Sequence, residues 1–302
     1  MAKMYTPAME RVKKKRRNGK RGQANSPLQQ AWKRLKRNKS ALVGMALLGF
    51  MVLVAIFANF IAPYSYIEQD YMAMKQFPSS AHWFGTDALG RDIFSRCVYG
   101  ARVSLMISLV AVLTSIVTGG LVGTISGYMG GKADNLIMRF IDVLQSIPTV
   151  LFALSITAVL GDGLWQLIVA ITISFFGGAA RNFRTAILTV KSGEFVSASK
   201  AINIGKFQMI LRHLVPNAVG LISIYVIFMF AAGIIVVSSL SYIGIGIEPP
   251  TADWGGILTQ GKGYFLTHPY MVLFPTLCIM VTVFGLNLLG NGLRDALDPR
   301  LN

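Results

Sequence analysis

Charged residues are scarce in this sequence of 302 residues, and acidic residues are the scarcest of them. Only 14% of the residues are charged, with 13 Asp and Glu against 29 Lys and Arg, whereas 53% are hydrophobic and the mean hydropathy is +0.55. This balance is typical of membrane proteins and argues against a soluble enzyme. The two cysteines, Cys97 and Cys278, lie far apart and show no metal-ligand spacing. We therefore expect neither a disulfide framework nor a metal site.

Catalytic motifs are missing as well. The sequence contains no GxxxxGK[ST] phosphate loop, no HExxH, no serine elbow and no paired carboxylates. Gly244-x-Gly246 is followed by two prolines rather than by the start of a helix. The sequence thus predicts a chain that is not an enzyme and that binds no cofactor itself.

Long, mainly apolar segments recur along the chain. About 20 apolar residues in a helix, rising 1.5 Å each, cross the hydrocarbon core of a bilayer. Six such spans are predicted, at residues 41–62, 103–128, 136–160, 164–180, 218–243 and 270–289. The second span carries glycines that would let another helix approach closely, namely Gly119, Gly120, Gly123 and Gly127.

Basic residues are distributed unevenly between the two ends of these spans. Residues 1–40 contain 14 of the 29 Lys and Arg; residues 1–27 are predicted to be disordered, and residues 29–39 fit an interfacial amphipathic helix or a plain juxtamembrane cluster. With six spans, the loops on the side of both termini carry 24 Lys and Arg and the other loops carry 5. The positive-inside rule then predicts that both termini are cytoplasmic.

Two opposite charges enter the beginning of the third span. Arg139 and Asp142 are three residues apart, so they can meet on one face of a helix. Pairing would reduce the cost of placing them near the membrane edge. We expect a structural or interface pair rather than a proton relay.

One polar segment, from Glu194 to Asn217, separates the fourth and fifth spans. It carries several basic residues and a single acid, and Gly205 and Pro216 predict breaks at two points. The segment is therefore expected to form two short helices joined by a bend. It is too polar to lie in lipid, and the charge distribution predicts that it faces the cytoplasm, in water or against a partner.

Several blocks of the sequence resemble a known family. They read FGTDALGRDIFSR at 84–96, YGARVSL at 99–105, IDVLQSIPTVLFAL at 141–154, LRHLVPNAVG at 211–220, LSYIGIGIEPPTADWGGIL at 240–258 and NLLGNGLRDALDPRL at 287–301. These blocks are similar to the C-type permease subunit of oligopeptide and dipeptide importers, and the polar segment resembles the EAA loop of ABC importer permeases. The resemblance implies the all-α type I ABC importer fold, with six transmembrane helices and a cytoplasmic coupling loop.

The resemblance also implies the function and the partners. Such a chain is a multi-pass protein of a bacterial-type inner membrane and forms half of a translocation path beside a second permease subunit. Two ATPase subunits bind ATP and Mg and hydrolyse the nucleotide, while an extracytoplasmic solute-binding protein delivers the peptide. The chain would divide into a basic tail at 1–40, a first helix with an outer loop at 41–102, and a five-helix core at 103–302 that contains the coupling loop 194–217.

The resemblance can be carried to individual residues. Aligned on Pro216, the family's Glu-Ala-Ala becomes Ser197-Ala198-Ser199 and its glycine becomes Asn203, so two landmarks of the motif are absent here. The implied coupling residues are Glu194, Ser197, Ala198, Ser199, Asn203, Gly205, Arg212, His213 and Pro216. The candidates for outer contacts, with the binding protein or at the pore entrance, are Asp87, Arg91, Asp92 and Trp254; packing between subunits is the alternative for these residues.

Three other functions stay open at this point. A permease of the same branch transports nickel, a metal chelate, glutathione or an opine. A secondary transporter or channel would carry acidic residues at mid-depth in its spans, and the apolar spans here lack them. A membrane-anchored nucleic-acid binder would use the basic residues at 11–39.

Overall fold

A computed structural model describes residues 32–193, 196, 199 and 204–297. The sequence predictions for residues 1–27 and for Glu194, Ser197, Ala198 and Asn203 lie outside this part of the chain. The described helices are α1 (Lys39–Ile56), α2 (Ala58–Ile61), α3 (Ile93–Met129), α4 (Gly131–Gln145), α5 (Thr149–Leu160), α6 (Leu164–Lys191), α7 (Lys206–Ile243), α8 (Trp254–Gly261) and α9 (Tyr270–Leu297). No strand occurs in the described ranges, so the prediction of an all-α protein is confirmed.

Five of these helices, α1, α3, α6, α7 and α9, are long and apolar enough to cross a membrane. A sixth span results if α4 and α5 are counted together, because they follow each other with a short break and a bend of 82°. The predicted third span is thus a broken one. Pro148 explains the break, since it offers no backbone N–H to a helix and disfavours the helical conformation of Ile147 before it.

Two helices extend well beyond the apolar segments that predicted them. Helix α3 begins at Ile93 rather than at residue 103, and α6 continues to Lys191 rather than ending near residue 180. The start of α3 is set by Asp92, whose Oδ2 accepts a hydrogen bond from the Ser95 N–H at 2.7 Å. Hydropathy therefore located the part of each helix that matches lipid, whereas capping determines where the helix starts.

Helix α7 runs without interruption through Pro216, so the expected break at that residue is wrong. The break near Gly205 is present, because Gly205 is extended and α7 starts at the next residue. The segment Met209–Leu214 is a π-helix, and Pro216 lies in the first turn of the regular helix that follows. Pro216 has no N–H to donate to the preceding turn, and the π-helical turn before it accommodates this gap within a continuous helix.

Small residues allow α3 and α6 to pack closely, as the sequence predicted. A Cβ at Gly123 would overlap the backbone carbonyl of Ala180, and one at Gly119 would overlap the carbonyl of Phe176. Helices α1 and α9 meet in the same way, since a Cβ at Gly44 would lie 2.6 Å from the carbonyl oxygen of Gly285. Close backbone approach of this kind is a common source of helix association in membranes.

Helices α3 and α7 occupy the middle of the bundle. One apolar cluster joins them to α5 and α6 through residues such as Ile107, Ile171 and Val237. A second cluster joins them to α1, α8 and α9 and includes the fully buried Trp254 and Ile234. The polar segment after α6 and the outer loop before α3 are thus attached to opposite ends of one packed unit.

Candidate functional site

The described part of the predicted coupling segment is anchored to the basic ends of α6 and α7. Val196, Met209 and Leu214 are at most 2% exposed and pack together with Ile187 of α6 and Ala218 of α7. Ser199 is also buried, and the backbone N–H of Ile204 donates to its carbonyl oxygen at 3.3 Å. The segment is therefore packed directly against two membrane-spanning helices.

The opposite face of the segment is open and partly apolar. Phe207 is 75% exposed and Leu211, four residues later on the same face of α7, is 49% exposed. Arg212 and Pro216 are exposed beside them, while His213 is half-buried. Sequence reasoning missed Phe207 and Leu211, although an apolar pair at positions i and i+4 opposite the buried Met209 and Leu214 was readable in the sequence.

A network of charged groups holds the basic ends of α3, α4 and α6 together. Asp134 of α4 accepts two hydrogen bonds of 2.6 Å from Arg184 of α6 and a third, of 2.5 Å, from the Ser126 hydroxyl of α3. Lys191 Nζ donates to the backbone carbonyls of Gly127 and Tyr128 at 3.1 and 2.7 Å. Asp134 is buried, so its charge is compensated by paired geometry rather than by water.

The predicted pair between Arg139 and Asp142 is not formed. Asp142 instead accepts from Arg181 Nη2 of α6 at 2.6 Å, and Arg139 is exposed and forms no ion pair with any described residue. The i, i+3 spacing allowed the predicted pair, but α6 packs against α4 and brings a guanidinium to Asp142 from a neighbouring helix. Two ion pairs, Asp142–Arg181 and Asp134–Arg184, therefore join α4 to α6.

The four candidates for outer contacts are buried inside the chain, so their assignment to exposed contacts is wrong. Arg91 Nε donates to Asp87 Oδ2 at 2.7 Å, and the nearby Arg96 lies 3.8 Å from the same oxygen. Gln260 of α8 accepts a hydrogen bond from Arg91 at 2.6 Å and another from Arg96 at 3.2 Å. These buried charges connect the outer loop to α3 and α8 instead of facing a partner.

Asp92 and Trp254 belong to the same buried cluster as Asp87, Arg91, Arg96 and Gln260, which we call the outer cap. Besides capping α3, Asp92 lies 3.0 Å from His82 Nδ1, and its side chain is 1% exposed. Trp254 is fully buried, and its indole Nε1–H donates to the Cys97 carbonyl at 3.0 Å. The mixed charges of this sequence block suggested exposed side chains. Asp92 and Trp254 instead find their polar partners inside the chain.

Asp253 is the most thoroughly buried acid of this region. It caps α8 by accepting from the Gly256 N–H at 3.0 Å, and its exposure is 1%. Burial raises the pKa of its carboxyl group, although the hydrogen bond from the Gly256 amide opposes the rise. The carboxylate thus fixes the start of α8 from a buried position.

The indole hydrogen bond of Trp254 makes a testable contribution to the cap. We expect Trp254→Phe to lower the free energy of unfolding by about 2 kcal/mol, since one buried hydrogen bond is lost and the smaller ring leaves a cavity. The measurement is the temperature at which the purified protein in detergent loses its monodisperse elution peak. Trp83→Phe is the control, because Trp83 is 59% exposed and should change stability by less than about 0.5 kcal/mol. Equal effects of both substitutions would contradict the assignment.

Within the described residues, no group of three or more His, Cys, Asp or Glu could hold a metal ion. Three features stand out in the described residues. They are the exposed apolar pair Phe207 and Leu211, the ion pairs between α4 and α6, and the outer cap.

Two family models match this chain. Residues 119–302 match the model described as binding-protein-dependent transport system inner membrane component, and residues 26–78 match the N-terminal TM domain of oligopeptide transport permease C. The first match covers more than half of the chain. The chain belongs to the family of inner membrane components of binding-protein-dependent transport systems.

Curated relatives agree with this assignment of the permease. This chain is 39% identical to the dipeptide transport system permease protein DppC of Bacillus subtilis over 90% of its own length and 86% of the relative. It is 38% identical to the oligopeptide transport system permease protein OppC of the same organism, over 89% of this chain and 88% of the relative. The glutathione transport system permease protein GsiD of Escherichia coli O157:H7 is 38% identical, with 92% of each chain covered.

A solved transporter shares the fold of the permease. A chain from the inward-facing MetNI methionine ABC transporter aligns with a TM-score of 0.56, covering 67% of this permease and 96% of that chain at 18% identity. The expected type I ABC importer fold is therefore confirmed. The permease is a multi-pass membrane protein and works with a partner permease, an ATPase and a binding protein, as ABC importers of this family do.

Proposed function

We propose that this permease imports short peptides across a bacterial-type inner membrane, as one of two transmembrane subunits of an ATP-driven transporter. The observation that carries the proposal is its similarity, over about nine tenths of both chains, to permeases named for dipeptides and oligopeptides. The two permease subunits enclose the path, an extracytoplasmic binding protein delivers the peptide, and both termini lie in the cytoplasm. ATP and Mg bind to the partner ATPase subunits.

The coupling segment is proposed to dock on an ATPase subunit. It lies at the basic end of the bundle, which the charge distribution predicts to be cytoplasmic. Its buried face is packed on α6 and α7, and Phe207 and Leu211 are available on the other face. Because α7 is continuous from Lys206 to Ile243, a displacement of the docked segment would move a whole membrane helix.

Glutathione is a second candidate substrate, since several relatives of equal similarity are glutathione permeases. Glutathione is itself a small peptide with a modified linkage, so the same path would admit it. Mass spectrometry of the ligand that co-purifies with the associated binding protein separates the two candidates.

Deletion of residues 199–205 tests the proposal as a whole. We expect the deletion to abolish peptide uptake and the ATP hydrolysis that accompanies uptake, while the protein still inserts into the membrane. Uptake of labelled peptide into vesicles containing the complete transporter is the measurement, and membrane extraction in carbonate controls for insertion. Normal uptake by the deletion variant would disprove the coupling role.

A further inference from the structure

The bend between α4 and α5 borders a polar recess that none of the assigned functions uses. Its volume is about 480 Å³, and it opens between the bend, α6 and α7. The polar residues that line it are Asp142, Gln145, Ser146, Thr149, Ser174, Arg181 and Tyr225. A carboxylate, a guanidinium, an amide and hydroxyl groups are thus collected in one cavity at a break in a membrane helix.

This recess lies at the basic end of the apolar part of α6, and its charges are accessible. Arg181 directly follows residues 164–180, the predicted span within α6. The side chains of Arg181 and Asp142 are 48% and 52% exposed. Exposed charges and broken helical backbone are tolerated beside water or protein, and not against lipid. The recess is therefore open to water or to a partner subunit rather than to lipid.

The two ion pairs between α4 and α6 differ in a way that indicates different roles. Asp134 and Arg184 share two hydrogen bonds, and Asp134 is buried, so this pair holds the helices together. Within the described part of the chain, Asp142 and Arg181 make one contact only, through one carboxylate oxygen and one guanidinium nitrogen. The second oxygen and the remaining donors are free for a ligand.

We propose that Asp142 and Arg181 form a transient binding site for the charged ends of a peptide passing through the permease. This inference rests on the proposed peptide transport. Arg181 would donate to the terminal carboxylate and Asp142 would accept from the terminal ammonium, while Gln145 and Ser146 offer hydrogen bonds to the peptide backbone. The ligand has to compete with the existing pair, which keeps the site weak, as a transport path requires.

A thiol introduced into the recess tests this site. Ser146 is exposed, so Ser146→Cys is combined with Cys97→Ala and Cys278→Ala in the complete transporter in nanodiscs, without the binding protein. A charged maleimide measures reaction of the thiol in the presence of trialanine or of N-acetyl-trialanine amide, which has no charged ends. We expect the thiol to react, trialanine to slow the reaction at least about fivefold, and the capped peptide to have little effect.

Charge substitutions in the same background identify the contacts. Arg181→Gln should raise the trialanine concentration for half-protection about tenfold or more, and Arg181→Lys, which keeps the charge, should retain most of the protection. Arg139→Gln is the matched control, because it removes the same charge from exposed surface on α4 outside the recess and should change the value less than twofold.

The outcomes separate this site from the proposed function. An unreactive thiol, equal protection by both peptides, or equal shifts for Arg181→Gln and Arg139→Gln would overturn the site. If the wild-type transporter takes up trialanine and yet trialanine gives no protection, the site is wrong and peptide transport stands. If the wild type takes up no peptide at all, both are wrong.

Discussion

The double variant Phe207→Ser, Leu211→Ser is expected to lose nearly all peptide uptake while it inserts and folds normally. Both side chains are exposed, so their replacement leaves the buried cluster around Met209 and Leu214 intact. Large apolar side chains at the centre of a protein interface contribute about 2 kcal/mol or more each when truncated. Two such losses total about 4 kcal/mol, so binding of the ATPase subunit should weaken by about a thousandfold.

Co-purification and uptake together measure this effect. The amount of ATPase subunit retained by the tagged permease should fall in parallel with uptake, while thermal stability of the permease stays unchanged. The control variant Phe207→Leu, Leu211→Met keeps an apolar surface of similar size and should retain most of both activities. Full uptake by the serine variant, with the ATPase still bound, would show that this face is not the docking surface.

Gly123→Leu is expected to prevent correct packing of the bundle altogether. A Cβ at this position already overlaps the backbone of Ala180, which cannot move aside as a side chain can. The helices α3 and α6 would have to separate, and the buried Ile107, Ile171 and their neighbours would lose contact. A loss of several kcal/mol is large against the usual stability of a folded protein, about 5 to 15 kcal/mol.

Size-exclusion profiles of the detergent-extracted protein measure this outcome. The leucine variant should elute as aggregate or be absent from the membrane, with no recovery at low temperature. Gly49→Leu is the matched control: it adds the same side chain to a glycine of another membrane helix, α1, where nothing lies within 4 Å of a Cβ. A monodisperse Gly123→Leu protein would contradict the proposed close contact.

Helix ends and broken spans illustrate how far local sequence rules reach. Apolar length located the spans, because the hydrophobic thickness of a bilayer is a constraint on each helix by itself. The break at Pro148 was partly readable, since proline acts on its own turn. Pro216 was misread by the same rule, because a π-helical turn places that proline in the first turn of the helix that follows.

Partners of charged side chains could not be predicted in the same way. Arg139 and Asp142 are neighbours in sequence, but the guanidinium that reaches Asp142 comes from Arg181, which is 39 residues away. Asp87 and Arg91 do pair locally, yet their burial depends on Gln260, which follows 169 residues after Arg91. Contacts over such distances depend on which helices pack together, and a hydropathy profile contains no information about that.

The sequence by itself determined the membrane class, the approximate spans, the close-packing glycines and the polar segment that cannot lie in lipid. These properties follow from interactions of each residue with lipid, water or its own helical turn. The tertiary structure decided that the outer acids and Trp254 are interior groups, that Phe207 and Leu211 are exposed, and that Asp142 and Arg181 line a recess. Those properties depend on neighbours from other helices, and only the packed bundle brings these neighbours together.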